Sequence, residues 1–255
     1  MYQRFKRSLI KPSELGMYIK DSWLRIWVYF FLLLVVGTFP FLLIIYATPG
    51  LNNAQIQNVS SNFVENLQSN YTVVDNSLVI PLEEQSLIRG HEFDLYAISI
   101  SHAPRLSGYQ QVSIHFSKEY VQFFVSIYLV KTYTYSDLNL NGFSFNDYSS
   151  QNIDRFIRAI NYMVIDNQVP NKLFQTTTVL INYAIEYLFF IIFGIFLSRV
   201  ALNFSIKFKI AVYALTIYVV FGLFSVLFNL GILSFVGIIF LVIYLNKAFT
   251  RIVVY

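Results

Sequence analysis

The chain has 255 residues, of which 56% are hydrophobic and 13% charged, and it contains no cysteine. A soluble domain carries about 25% charged residues, so this composition excludes a disordered chain, a nucleic-acid-binding arm and a normal soluble enzyme. Without thiols there are no disulfides, no cysteine nucleophile and no Cys-ligated metal, and the formal charge of +4 matters less than where it lies.

Residues 1–25 form a basic segment holding Arg4, Lys6, Arg7, Lys11, Lys20 and Arg25. Phe5, Leu9, Leu15, Tyr18, Ile19 and Trp23 recur among them at roughly helical spacing. Pro12-Ser13 reads as a break followed by a helix N-cap. The segment is either an interfacial helix on anionic lipid or an ordinary basic flank.

A bilayer core about 30 Å thick needs roughly 20 apolar residues in a helix. Residues 26–47 supply a first uncharged span, with Pro40 inside it predicting a kink. A cleaved signal peptide would be shorter and would end in a small-residue cleavage site, so this segment reads as retained. Residues 179–198 supply a second span with one charge, Glu186. Residues 210–246 are 37 residues without charge, which suits two spans, 210–229 and 232–246, turning at Asn229-Leu230-Gly231. Residues 247–255 are a basic tail.

The intervening segment, 48–178, is large enough for one small domain. Helical spacing over 52–69 places Ile56, Val59, Phe63 and Leu67 on one face. A hairpin follows, with strands at 71–74 and 78–80 turning at Asp75-Asn76. Further strands are expected at 93–100, 111–116, 121–125 and 127–135. A loop covers 141–150, and a second helix covers 151–166. The expected fold is an integral membrane protein of four transmembrane helices, with an α+β extracytoplasmic domain inserted between the first and second.

Orientation follows from Lys and Arg in the flanks. The six N-terminal basic residues, Arg199, Lys207 and Lys209 of the second link, and Lys247 and Arg251 of the tail all fall on one side of a four-span path. Residues 48–178 carry seven basic and eleven acidic side chains, a net of −4. Both termini are therefore expected in the cytoplasm, and the domain outside.

No GxSxG, HExxH, Walker or GxGxxG pattern is present. His91 with Glu92 and Asp94 is the nearest approach to a metal cluster, and solvated strand-edge residues account for it better. Neither a catalytic residue nor a cofactor is expected, and no enzyme activity. Glu186 is the most informative residue, because a carboxylate in hydrocarbon must be paired, protonated or water-facing. Asn182 lies one turn away on the same helix. Ser225 and Asn229 of the third span are expected at comparable depth. The four residues define a candidate intramembrane polar cluster, either a partner-contact site or helix–helix glue.

Several stretches together carry a resemblance: Phe5-Lys6-Arg7-Ser8-Leu9-Ile10-Lys11-Pro12, the Tyr71–Leu78 hairpin, Tyr133–Leu138, and Phe208-Lys209-Ile210-Ala211-Val212-Tyr213-Ala214-Leu215-Thr216-Ile217. The chain resembles, over essentially its whole length, a four-span membrane family of low-GC Gram-positive bacteria. Some members are named maltodextrin-utilisation proteins because they are encoded beside sugar ABC-transporter genes. A proline often follows the Thr-Ile pair in that family, where this chain has Tyr218. The resemblance implies a plasma-membrane location and a link to carbohydrate uptake, and it carries no catalytic residue.

The leading expectation is a non-enzymatic accessory or regulatory subunit of a membrane complex, such as a carbohydrate ABC importer. Its partners would be the bilayer and other membrane proteins, possible ABC transporter subunits among them, and not nucleic acid. The alternative is a membrane-anchored sensor whose outer domain takes a small ligand such as a sugar, stacked on Tyr109, Tyr133 or Tyr135. An independent transporter is the poorest fit, since four spans without an inverted repeat give no evident pathway.

Overall fold

The computed structural model describes every residue except 68, 86, 94–95, 103–111, 199 and 253–255. Asp94, Tyr109 and Arg199 thus lie outside the described residues. The chain divides into a helical unit, Met1–Ile44 with Thr176–Tyr255, and a second unit, Ile45–Gln175.

Four helices are long and apolar enough to cross a membrane: α2 (Trp23–Ala47), α5 (Gln168–Leu197), α6 (Phe204–Leu227) and α7 (Ile232–Ile252). Between α2 and α5 lie α3 (Asn53–Glu65) and α4 (Ser150–Asp166), and α1 (Tyr2–Ile10) precedes them all. Each span is longer than its uncharged run. Helix α5 begins eleven residues earlier than the apolar stretch at 179, because the mixed polar and apolar residues 168–178 do not break a helix and Pro170 falls in the first turn, where no amide bond is lost. Helix α6 takes in Lys207 and Lys209, whose ammonium groups find carbonyl partners. Helix α2 runs on through Pro40.

In the helical unit α6 is the enclosed element, buried without interruption from Ile210 to Val219. The other spans leave large apolar side chains uncovered, Leu24 at 74% and Phe196 at 80% exposure among them. In water such a surface would be a liability; in lipid it is the expected exterior. Close packing is set by small residues. A Cβ at Gly37 would overlap Tyr187 Oη and press on Val219, and one at Gly237 would meet Phe221 and Tyr218. The turn from α6 to α7 departs from expectation: Asn229, with φ of 52°, takes the left-handed conformation, and Gly231 does not.

The N-terminal segment is no single amphipathic helix. Helix α1 is followed by a 3₁₀ stretch, Pro12–Lys20, whose cap is Lys11 rather than Ser13. Both pieces fold onto α6 and α7, burying Leu15 and half-burying Phe5, Leu9, Tyr18 and Ile19. Tyr244 Oη donates to Leu9 O at 2.6 Å.

The second unit contains α3, capped by a reciprocal Asn52–Gln55 pair. The hairpin β1 (Thr72–Val74) and β2 (Ser77–Val79) turns through Asp75 and Asn76, both at positive φ as a two-residue hairpin turn requires. The five-stranded sheet runs in the order β3 (Arg89–Phe93), β4 (Tyr96–Ile100), β5 (Val112–Phe116), β6 (Val121–Val125) and β7 (Tyr128–Tyr133). In place of the one strand expected at 93–100 there are two antiparallel partners, β3 ending at Phe93 and β4 beginning at Tyr96, and polar Arg89, Gly90, His91 and Glu92 conceal β3. The β4–β5 pair is parallel and the others antiparallel. One sheet face and α3 and α4 share an aromatic core, with Phe63 and Phe156 rings 5.0 Å apart and Phe143 and Phe145 rings 4.9 Å apart.

Candidate functional site

Glu186 lies in α5, and its carboxylate accepts a hydrogen bond from Tyr218 Oη of α6. Tyr218 is held by aromatic neighbours, with the Phe190 ring at 4.6 Å and the Tyr187 ring edge-on at 6.1 Å. Tyr183 packs on Tyr187 at 5.8 Å. One phenol donor fills only part of a carboxylate's accepting capacity, so half-buried Glu186 retains acceptor sites.

The four expected cluster residues do not meet. Ser225 Oγ donates to Leu230 O at 3.0 Å and secures the α6–α7 turn. Asn229 is spent on the backbone conformation of that turn. Asn182 is exposed on α5, with no side-chain partner among the described residues. The reason is depth. Ser225 is seven residues beyond Tyr218, roughly 10 Å along a helix axis at about 1.5 Å per residue, whereas Asn182 is only one turn beyond Glu186.

The most connected polar site of the helical unit is Asp21, which hydropathy does not single out. Arg4 grips it with two bonds of 2.9 Å, Nε to Oδ2 and Nη2 to Oδ1. Tyr213 Oη donates to Oδ2 at 2.6 Å, and Arg25 stands at 3.5 Å. Lys209 Nζ donates to Asp21 O at 2.7 Å and to Ile19 O at 3.0 Å. The Arg4 bonds, with help from Tyr213, hold the Asp21 carboxyl down at about 2. Next to this node, Thr216 Oγ1 donates to Tyr213 O, so the 2.7 Å bond between Tyr29 and Thr216 hydroxyls has Tyr29 as donor.

In the second unit two of the tyrosines expected to stack on a ligand, Tyr133 and Tyr135, are enclosed. Tyr135 is fully buried and donates to Ser117 O at 2.5 Å. Tyr133 is buried and donates to Asp166 Oδ2 at 2.5 Å, beside Lys131 Nζ at 2.6 Å. Lys131, then Tyr133, holds the Asp166 carboxyl below the usual range, and burial pushes the Tyr133 phenol up. At the other side, Arg89 Nη2 pairs with Glu84 at 3.0 Å while Tyr71 Oη donates to the same carboxylate at 2.9 Å.

The histidines are separate. His91 meets Asn58 Oδ1 at 3.1 Å and stacks on Phe93, His102 meets Leu78 O at 2.9 Å, and buried His115 meets Ser99 Oγ at 2.9 Å. Among the described residues no three His, Asp or Glu side chains converge as a metal site would require.

No protein-family model, no curated protein and no solved structure matches the chain.

Proposed function

We propose that this is a multi-pass protein of the bacterial plasma membrane, with both termini cytoplasmic and residues 48–178 outside. Its role is that of a non-enzymatic accessory or regulatory subunit of a larger membrane complex. A carbohydrate ABC importer is the first complex to test, on the family resemblance alone.

The orientation is supported by where the cations gather. The Asp21 node joins the N-terminal segment to the start of α6, and Tyr244 and Ile252 bring the end of α7 against the same segment. Arg4, Lys6, Arg7, Lys11, Lys20, Arg25, Lys207, Lys209, Lys247 and Arg251 therefore share one end of the helical unit. Such an excess belongs on the cytoplasmic side.

The accessory role is carried by Asn182. Its exposed amide has no side-chain partner among the described residues, one turn from a carboxylate with spare acceptor sites. An amide in hydrocarbon favours a hydrogen-bonding neighbour, and a second membrane protein supplies one.

Site-specific photocrosslinking in native membranes tests this. A crosslinker at position 182 is expected to capture a different membrane protein, and one at Ile243 on α7 is not. Lipid adducts alone, or capture only of a second copy, would remove the accessory reading.

A further inference from the structure

Helix α4 and the loop after β7 enclose a depression of about 410 Å³ in the second unit, within the range of small-ligand clefts. Its floor is apolar, made by Leu138 and Ala159, both nearly inaccessible to solvent. Tyr162, half exposed, forms one wall. The other walls carry Asp137, Arg155 and Arg158.

The charges are arranged unusually. Arg155 is already positioned: Nη2 donates to Asn139 O at 2.8 Å and to Asn141 O at 3.1 Å, and the guanidinium stands 6.0 Å from the Phe143 ring centroid. Asn139 presents its carbonyl from a left-handed conformation, φ 55°. A guanidinium has five N–H donors in a planar fork, and these two contacts use only one nitrogen. Arg158 reaches Asp154 at a loose 3.9 Å and is otherwise solvated.

Asp137 is fixed as well, its Oδ2 accepting from Thr134 N at 2.9 Å. Among the described residues neither arginine pairs with Asp137. One depression thus holds a fixed cation and a fixed anion that do not neutralise each other, over an apolar floor and beside an aromatic ring. A cation and an anion that line one depression without pairing favour a ligand carrying both signs, since each then gains a charge-assisted bond.

We infer that this depression binds a zwitterionic α-amino acid or short peptide, its carboxylate on Arg155, its ammonium on Asp137, and its side chain over Leu138, Ala159 and Tyr162. The inference is independent of the accessory role and leaves that reading unaltered whichever way it falls.

The test is calorimetry on the full chain in nanodiscs. Standard L-amino acids are screened first, and matched probes follow: L-leucine, N-acetyl-L-leucine, which lacks the ammonium, and L-leucinamide, which lacks the carboxylate. Each lost charge is expected to weaken binding about tenfold or more, the scale of one charge-assisted contact. Arg155→Gln should reproduce the leucinamide loss and Asp137→Asn the N-acetyl loss, while Ala159→Trp, which fills the floor, should abolish binding. Absence of heat across the millimolar range for every amino acid overturns the proposal. So does binding indifferent to N-acetylation and amidation, a comparison made on the unmodified chain and independent of whether any variant folds. Uptake of glucose or maltose at this site, blocked by Ala159→Trp, also overturns it.

Discussion

Tyr213 Oη and Asp21 Oδ2 lie 2.6 Å apart although 192 residues separate them in the chain. The bond fastens the N-terminal segment to the most enclosed helix of the molecule. It makes Asp21 the point at which the sequence's first basic stretch and its third span become one structure. Arg4 and Lys209 complete the node from two further directions.

Removing Tyr213's hydroxyl should therefore loosen the N-terminal segment. Tyr213→Phe is expected to cost about 1–3 kcal/mol, the price of leaving one buried acceptor short of a donor. Asp21→Asn should cost more, because Arg4 loses its counter-ion. The two changes share one network, so the double variant should be less destabilised than the sum. Thermal unfolding in detergent measures all three, and simple additivity would show that the node does not act as a unit.

The same carboxyl sets an acid dependence. Its native value of about 2 lies below its ordinary 3.8. A depressed carboxyl contributes stability that is present above the unfolded value and lost as pH falls through the folded one. Stability of the parent chain should fall between about pH 4 and pH 2 by roughly 2 kcal/mol on this account. Asp21→Asn should lose that portion of the acid response. An unchanged pH profile in the variant would assign the response to other carboxylates.

Glu186 and Tyr218 give a second pair to separate. Tyr218→Phe leaves a half-buried carboxylate without its donor and should destabilise by about 1–3 kcal/mol. Glu186→Leu removes both the charge and the need for the donor, and should restore stability in the Tyr218→Phe background while abolishing capture at position 182. Chemical denaturation and crosslinking read the two effects separately. Restored stability with capture intact would confine Glu186 to helix packing.

Gly37 offers a steric test. Gly37→Ala forces a methyl group into Tyr187 Oη, and overpacking of this kind costs about 1–3 kcal/mol. Tyr187→Phe removes the obstructing atom and should recover part of the loss. If the paired change recovers nothing, α2 meets α5 elsewhere.

Because the chain has no native cysteine, topology can be read without background. Single cysteines at Ser149 and at Lys20 should react oppositely with a membrane-impermeant maleimide on intact cells, Ser149→Cys labelling and Lys20→Cys remaining silent until lysis. The reverse pattern would invert the orientation and, with it, the proposed exterior position of the domain.

The parts legible in the sequence are those that short-range pattern encodes. Uninterrupted apolar runs announced four spans, and the Asp75-Asn76 turn announced its hairpin. What remained hidden depends on distance along the chain or on polar residues doing structural work. Asp21 reads as one of two acids among six cations, and its partner Tyr213 reads as one more aromatic in an apolar run. Glu186 stood out as a lone charge, but nothing in the pattern around Tyr218 marks it as the donor to that carboxylate. Ser225 and Asn229 lie about two and three helical turns beyond Tyr218, a difference in depth that counting from helix ends does not resolve. Strand β3 was missed because Arg89, His91 and Glu92 lack the β-branched signature, and a neighbouring strand overrides that local preference.

The contacts at Asp21 also impose an order on biosynthesis. Arg4 is available as soon as the first two dozen residues emerge, while Lys209 and Tyr213 are translated some 190 residues later. At about 5–20 residues per second, the half-made node waits roughly ten to forty seconds, exposed to chaperones, the insertion machinery and anionic headgroups. Completion of the cationic end is thus a late event of assembly, and a ribosome stalled before α6 would leave a nascent chain whose opening segment has nothing to close upon.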